Sequence, residues 1–443
     1  MKSRVPKVLH RLAGRTLLGH VVAATRSLDP AAIYVVYGHG GRQVRDAHAA
    51  LEVQWVEQRE QRGTGHAVEQ AMRAIPDEAT VLVLYADVPL IDAGTLRDTV
   101  GAAAGGSLAL ITTQIEDPQG YGRILRADDG RVLGIVEDRD ASDSERRIKE
   151  VNTGILAAGA ASLRGWLDRI DENNAQGERY LTDVIALAVG AGVDVTSISP
   201  ASIQEVLGVN DRSQLAELER HYQRGQAEQL MRDGVTIMDP ARLDIRGEVD
   251  IGRDVRLDVN VILEGKVIIA EGASIGPNCV ITNADIGPDS KILANTVIEQ
   301  ASVGAGCRIG PYARLRPGTE LAEDVHVGNF VEVKNSRVGR GSKANHLTYL
   351  GDTRVGKDVN VGAGTITCNY DGAEKHATII EDNVFVGSGV ELVAPIKVHA
   401  GATIGAGATV TKDVPPGVLS VSRARQTNIE NWTRPSKGKK ASK

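Results

Sequence analysis

From about Val249 to Val410 an aliphatic residue returns at every sixth position, often followed by Gly. Ile251, Leu257, Leu263, Ile269, Ile275 and Ile281 make one run. Val303, Ile309, Leu315, Leu321, Val327 and Val333 make a second, and Val386, Leu392, Val398, Ile404 and Val410 a third. Neither the helical period of about 3.6 nor the strand period of about 2 produces this spacing. It is the period of a parallel β-helix, in which each hexad supplies one short strand with its aliphatic residue inward. Gly or a small polar residue turns the corner, and three hexads close a triangular coil. The phase slips by one residue between Ile281 and Ile286, Ile298 and Val303, and Val333 and Val338. An insertion beginning Cys368-Asn369-Tyr370-Asp371-Gly372 interrupts the repeat between Thr367 and Val386. Such insertions become surface loops, often on the binding face.

A chain of 443 residues is expected to hold a second domain. Residues 1–210 read as α/β, with apolar strand runs at Ile33–Tyr37, Val81–Tyr85, Leu108–Thr112 and Gly154–Ala158. Helical segments, such as Leu17–Ser27 and Gly65–Ala74, lie between them, which implies a mostly parallel, doubly wound sheet. Ligands bind such sheets at the C-terminal strand ends, where Asp87 is expected to follow its strand directly. An Asp in that place is a turn cap or a ligand, and the residue alone does not decide. The polar loop Gln58–His66 runs into a helix and is suited to present amides to a base or phosphate. Residues 211–248 read as a linker whose helix, Ser213–Arg232, is capped by Ser213 and followed by an Asp239-Pro240 turn. The β-helix domain is placed at 249–433, and 434–443 reads as a disordered basic tail.

The net charge of −6 gives no global attraction for nucleic acid or membrane. Aromatic residues are only 3% of the chain, which suits a narrow bore filled by Ile, Val and Leu. Cys279, Cys307 and Cys368 have neither metal-ligand spacing nor a paired framework, and fit a reducing cytoplasm. No apolar run is long enough for membrane insertion, and the N-terminus lacks a signal-peptide core.

Particular strings narrow the reading. They are PKVLH at Pro6–His10, GTGHA at Gly63–Ala67, YADVPL at Tyr85–Leu90, GYGR at Gly120–Arg123 and VNTGI at Val151–Ile155. In the second half they are RLRPG at Arg314–Gly318, HVGNFVEVK at His326–Lys334, HLTYLGD at His346–Asp352 and NVGAGTITCNYDG at Asn360–Gly372. Over nearly its whole length the chain resembles the bacterial bifunctional N-acetylglucosamine-1-phosphate uridylyltransferases/glucosamine-1-phosphate N-acetyltransferases. The resemblance implies a Rossmann-like nucleotidyltransferase domain followed by a left-handed β-helix. It implies acetyl transfer from acetyl-CoA to glucosamine 1-phosphate. Uridylyl transfer from UTP then gives UDP-N-acetylglucosamine and pyrophosphate.

The same resemblance assigns residues. His346 matches the general base and Glu332 the residue that supports its proton transfer. Arg316, Lys334, Tyr349 and Asn360 match the glucosamine-1-phosphate contacts. Ala363, Asn369, Tyr370, Ser388, Ala406 and Arg423 match acetyl-CoA positions. Asp87 and Asn210 match Mg²⁺ ligands, and Lys7 a phosphate-side lysine. Gln58, Gln61, Gly63 and Thr64 match the uridine-side loop, and Gly122, Glu137 and Asn152 the N-acetylglucosamine contacts. A homotrimer with acetyltransferase sites between subunits is implied as well. An imidazole titrating near neutrality suits the base that an attacking amine needs, and an Arg fork suits phosphate.

Two departures from the family pattern stand out. Ala86 replaces the Gly usual before the Asp, and Met1 aligns with the Met that ends the family's LAAGxGTRM loop. The strand and loop expected before it are not in this sequence. Either the start codon is misassigned or the chain is truncated, with only the acetyltransferase active; in this form little pyrophosphate release from UTP is expected. A third reading, a nucleotidyltransferase for another sugar with a scaffold β-helix, has no need of His346, Arg316, Lys334 or the CNYDG insertion.

Overall fold

The computed structural model describes residues 1–38 and 40–435. The expected disordered tail therefore lies mostly outside the described residues. Two compact units divide the chain, Met1–Gln226 and Ala227–Lys443.

The first unit is built on a six-stranded sheet. Its long strand, Glu150–Gly159, is flanked by Thr80–Val83 and Leu108–Gln114, both antiparallel to it. Val195–Ile198 pairs parallel with Leu108–Ile111 on the outer side. A hairpin, Arg123–Arg126 with Val132–Val136, extends the sheet on the other. Thr80–Val83 and Leu108–Gln114 run in the same direction, with the helix Ala93–Ala102 between them. They are separated in space by the inserted antiparallel strand, so the sheet is less parallel than the alternation of elements implied. Tyr34–Tyr37 and Gln54–Glu57 form a separate parallel pair. Leu108 and Leu110 join the cluster containing Leu156, Leu163 and Trp166, while Ile111 joins Leu96 and Ile155. Successive side chains thus bury on opposite faces, as a strand covered on both sides requires.

The strand expected at Val81–Tyr85 ends earlier, at Val83. Leu84 and Tyr85 continue as irregular chain, and a turn closes through the Val88 amide to Tyr85 O at 3.2 Å. Asp87 therefore sits inside a turn, and its own carbonyl receives the Val209 amide at 2.9 Å. The helix expected from Ser213 spans Arg212–Arg232. Asp211, not Ser213, accepts the Gln214 amide at 2.9 Å, because a capping side chain must precede the first turn.

In the second unit, strand pairing starts at Thr236–Ile237, inside the span read as linker. The hexad residues stack in parallel register: Leu257 on Ile275, Ile275 on Ile292, Ile292 on Ile309, Ile309 on Val327. All five are buried, in one continuous cluster that runs through Val410. The coils resolve into an 11-stranded sheet and a branched 16-stranded sheet. The three phase slips fall on corner residues Asn283, Gln300 and Asn335, each with φ near +45°. Asn occupies this left-handed region at small cost, and the Asn283 side chain bonds the Lys266 amide in the coil before at 3.0 Å. The insertion leaves the register intact, since Asn360 still pairs with Phe385.

Candidate functional sites

In the first unit the predicted residues gather around Tyr85. Its hydroxyl is buried and pushed up to about 12, first by burial and next by the Glu137 charge, with Thr64 bonded to it and Asp87 within electrostatic reach. Thr64 opens the helix Thr64–Met72 and accepts the Leu181 amide at 3.1 Å. Gly63 before it has φ +101°, and a Cβ there would meet Arg179 O at 2.7 Å, so the approach to the helix needs glycine. Gln58 Nε2 donates to Gly63 O at 3.1 Å, and the Gln61 amide lies against Gly38. These contacts fix the loop that the resemblance assigns to uridine.

Among the residues expected to contact the sugar, Gly122 O accepts the Asn152 amide at 2.8 Å. Asn152 Oδ1 accepts the Gly154 amide at 3.0 Å, and Glu137 accepts from Thr182 Oγ1 at 2.9 Å. Burial holds Glu137 above the ordinary carboxylate range. Beneath this loop lies Arg123, 2% exposed, bonded to Asp138 at 2.9 Å and to Tyr121 O. A buried guanidinium with these partners ties the segment carrying Gly122 to the segment carrying Glu137.

Lys7, expected on the phosphate side, bonds through Nζ both Asp87 and Asn210, the latter at 3.0 Å. The two predicted metal ligands thus converge on one cation. An ammonium held by a carboxylate and an amide oxygen shows that their combined field fits positive charge, and hard oxygen donors suit Mg²⁺. Tyr85 and Arg123 were not singled out from sequence, although both lie in quoted motifs. Their signal is burial, which one sequence does not display.

In the second unit a single corner aligns five residues. Asn329, His346, Ala363, Ser388 and Ala406 each precede a corner, and the corner amide above each of the first four bonds its carbonyl. Leu347 N donates to Asn329 O at 3.1 Å, Gly364 N to His346 O at 3.3 Å, Gly389 N to Ala363 O at 2.7 Å and Gly407 N to Ser388 O at 2.8 Å. Arg423 Nη1 reaches Ala406 O at 2.6 Å. Three predicted acetyl-CoA residues, Ala363, Ser388 and Ala406, and the predicted base therefore stand in one column, spaced by the strand separation of about 4.8 Å, with Arg423 reaching its end.

Three of the four predicted sugar-phosphate residues, Arg316, Lys334 and Tyr349, occupy the neighbouring face. Glu332 pairs in register with Tyr349, and Arg316 Nη1 bonds Glu332 at 2.8 Å. Lys334 bonds Asp352 at 3.1 Å, and Asp352 also accepts from Asn335 and Asn369. Lys375, on the insertion, is held below the ordinary lysine value by the adjacent Lys334 ammonium, with Arg316 adding to the effect. Three cations, Arg316, Lys334 and Lys375, thus crowd one place, which favours an anion. Lys375 escaped the sequence reading because the insertion has no repeat to locate it.

The insertion folds back on itself. Asp371 accepts the Ala373 and Glu374 amides at 2.8 and 2.7 Å and bonds His376 at 2.7 Å. His376 N donates to Asn369 O at 2.8 Å, fixing buried Asn369 while Tyr370 stays exposed. Asn360 is set apart on the other sheet, in register with Lys343 and Phe385. Glu332 also differs from expectation. Its carboxylate bonds Arg316, and the partner that His346 Nδ1 does have is Asn329 Oδ1, at 2.7 Å.

Comparison with known proteins covers both units. Residues 1–233 match the MobA-like NTP transferase domain, residues 245–345 the GMPPB C-terminal domain, and residues 377–412 the bacterial transferase hexapeptide (six repeats). The bifunctional protein GlmU of Azoarcus sp. (strain BH72) is 56% identical over 99% of this chain and 97% of its own length. That of Methylococcus capsulatus is 55% identical over 100% and 96%, and that of Pseudomonas putida F1 54% over 100% and 97%. The motifs, the converging residues of both units and this identity along nearly the whole chain agree: the chain belongs to the bifunctional GlmU family, joining a nucleotidyltransferase unit to a left-handed β-helix acyltransferase unit.

Proposed function

We propose that the second unit acetylates glucosamine 1-phosphate from acetyl-CoA and that the first unit couples the product to UTP. The observation that carries the acetyl-transfer reading is the column from His346 to Ala406, standing beside the cluster of Arg316, Lys334 and Lys375. The cations hold the sugar phosphate, and the thioester lies along the column. The sugar amine attacks the thioester carbonyl while His346 takes the amine proton. The C–N bond forms, the C–S bond breaks, and the departing thiolate receives that proton from the imidazolium. The site is completed by neighbouring copies in a trimer, because flat prism faces bury well against one another.

For uridylyl transfer, the sugar-phosphate oxygen attacks the α-phosphorus of UTP and pyrophosphate leaves. Gln58, Gln61, Gly63 and Thr64 orient the uridine, while Gly122, Glu137 and Asn152 orient the acetylated sugar. Asp87 and Asn210 would hold Mg²⁺, which when bound supplies charge neutralisation for the phosphates. Lys7 is then available to a phosphate. No helix among the described residues is long and apolar enough to cross a membrane, and the substrates place the reaction in the cytoplasm.

The test uses the purified chain with both substrate pairs. Thiol release from acetyl-CoA with glucosamine 1-phosphate is expected. His346→Ala is expected to lose about a hundredfold or more of it with the trimer retained. Full activity in that variant removes His346 as the base. Pyrophosphate release from UTP and N-acetylglucosamine 1-phosphate is expected to be unchanged by the same substitution.

A further inference from the structure

We infer that Asn329 is the positioning residue for the base: it holds the His346 imidazole in the Nδ1–H tautomer and so keeps Nε2 free to take the amine proton. This rests on the reading of His346 as base. Asn329 and His346 are register partners on adjacent parallel strands, His326–Asn329 and Lys343–His346. The coil therefore stacks their side chains whatever the substrate does. His346 Nδ1 lies 2.7 Å from Asn329 Oδ1, which is a carbonyl-type oxygen and can only accept. The bond requires the proton on Nδ1, so the lone pair is on Nε2. The column leaves Asn329 few alternatives, since Leu347 N grips its carbonyl at 3.1 Å and fixes the backbone.

A neutral partner suits this chemistry. A carboxylate against Nδ1 would stabilise the imidazolium and raise its pKa, whereas an amide oxygen orients the ring with little added charge. Glu332, the carboxylate expected to support the base, is engaged by Arg316 at 2.8 Å. His326 is on the strand of Asn329, Lys343 is on the strand of His346, and Arg308 is one coil below His326. Burial, with Arg308, Lys343 and His346 nearby, holds His326 below the ordinary histidine value. The amide at Nδ1 therefore selects which nitrogen is available.

The experiment measures tautomer and rate together on the full chain. Nitrogen-15 spectra of imidazole-labelled protein, with His346→Gln to assign the signal, are expected to show His346 as Nδ1–H. In Asn329→Ala the signal is expected to move toward the Nε2–H form that free histidine favours. In that variant kcat for acetyl transfer is expected to fall about tenfold to a hundredfold, the loss typical when an imidazole's orienting partner is removed. KM for both substrates is expected to stay within about twofold. Asn329→Asp keeps an acceptor and is expected to restore the Nδ1–H form and part of kcat. It is also expected to move the acid limb of the pH–rate profile up by about one unit or more. An unchanged tautomer and profile in Asn329→Ala overturns the inference, as does an Asn329→Asp profile that does not move. If His346→Ala remains fully active, it is the base assignment that fails. Gel filtration as a trimer excludes misfolding as the cause.

Discussion

The two units build their sites by opposite means. In the first, Lys7, Asp87 and Asn210 come from distant parts of the chain and meet because separate turns converge. In the second, Asn329, His346, Ala363, Ser388 and Ala406 meet because one corner is repeated, the first four secured by the same backbone bond and Ala406 by Arg423. A convergent site depends on packing that can relax locally. A repeated site depends on a register with no room to relax, since each coil is the template for the next.

Glycines test that difference most severely. A Cβ at Gly328, the residue before Asn329, would meet Asn345 O at 1.9 Å, and that oxygen belongs to the backbone of the next coil. A Cβ at Gly154 in the first unit would meet the Tyr85 ring at 2.3 Å, with φ +84° adding strain. A ring can shift; a coil in register cannot. Gly328→Ala is expected to cost about 3 kcal/mol or more and to abolish acetyl transfer. Gly154→Ala is expected to cost about 1–3 kcal/mol, impair uridylyl transfer and leave acetyl transfer intact. Urea midpoints and the two activities measured side by side decide the point. A mild Gly328→Ala would show that coils do relax.

Lys7 offers a smaller contrast. Its ammonium lies between the two oxygens proposed for the metal, so it satisfies them without an ion and opposes one. Lys7→Met is expected to tighten Mn²⁺ binding to the free chain about fivefold to tenfold, the effect of removing one adjacent positive charge. The same change is expected to slow uridylyl transfer about tenfold or more, because a phosphate loses its cation. The opposite signs are diagnostic, with Mn²⁺ followed by electron paramagnetic resonance. Weaker metal binding in Lys7→Met would show that Lys7 organises the ligands instead of competing for them.

The period of six made the β-helix legible, because inward Ile, Val and Leu recur wherever the coil recurs. The corners that shorten the coil were visible as slips, but not that Asn283, Gln300 and Asn335 form them. Individual roles came from motif resemblance, which points to residues and says nothing of their bonds. Hence Glu332 was expected to support proton transfer at His346, while the side-chain bond to the imidazole is made by Asn329, a pairing set by strand register. In the first unit the strand Glu150–Gly159 was legible at Gly154–Ala158, but its antiparallel direction was not, since an apolar run looks the same either way. Tyr85 was passed over because its hydroxyl matters only once burial isolates it.

Carboxylates in the two units also respond to pH in opposite directions. Burial, with Asp171 and Glu137 nearby, raises Asp183 to about 6, above the value of 3.8 expected when unfolded. The folded state therefore favours its protonated form, and stability present below pH 4 is lost as pH rises through 6. Asp183→Asn is expected to raise the urea midpoint at pH 7.5 and leave it nearly unchanged at pH 3.5. The group is half-exposed, so after allowing for screening the gain is about 1 kcal/mol. Trp166, buried in the same unit, reports the transition by fluorescence. Glu381 in the second unit is the reverse case. Lys397, the Ala400 amide and His399 lower it to about 2 from 4.5. Its contribution is present above pH 4.5 and lost as pH falls toward 2. Glu381→Gln is expected to lower the thermal midpoint slightly at pH 6 and not at pH 2, the smallest of these effects because the pair is on the surface. If both substitutions shifted stability in the same direction at neutral pH, the contrast between an acid forced into the interior and one held at a corner would not survive.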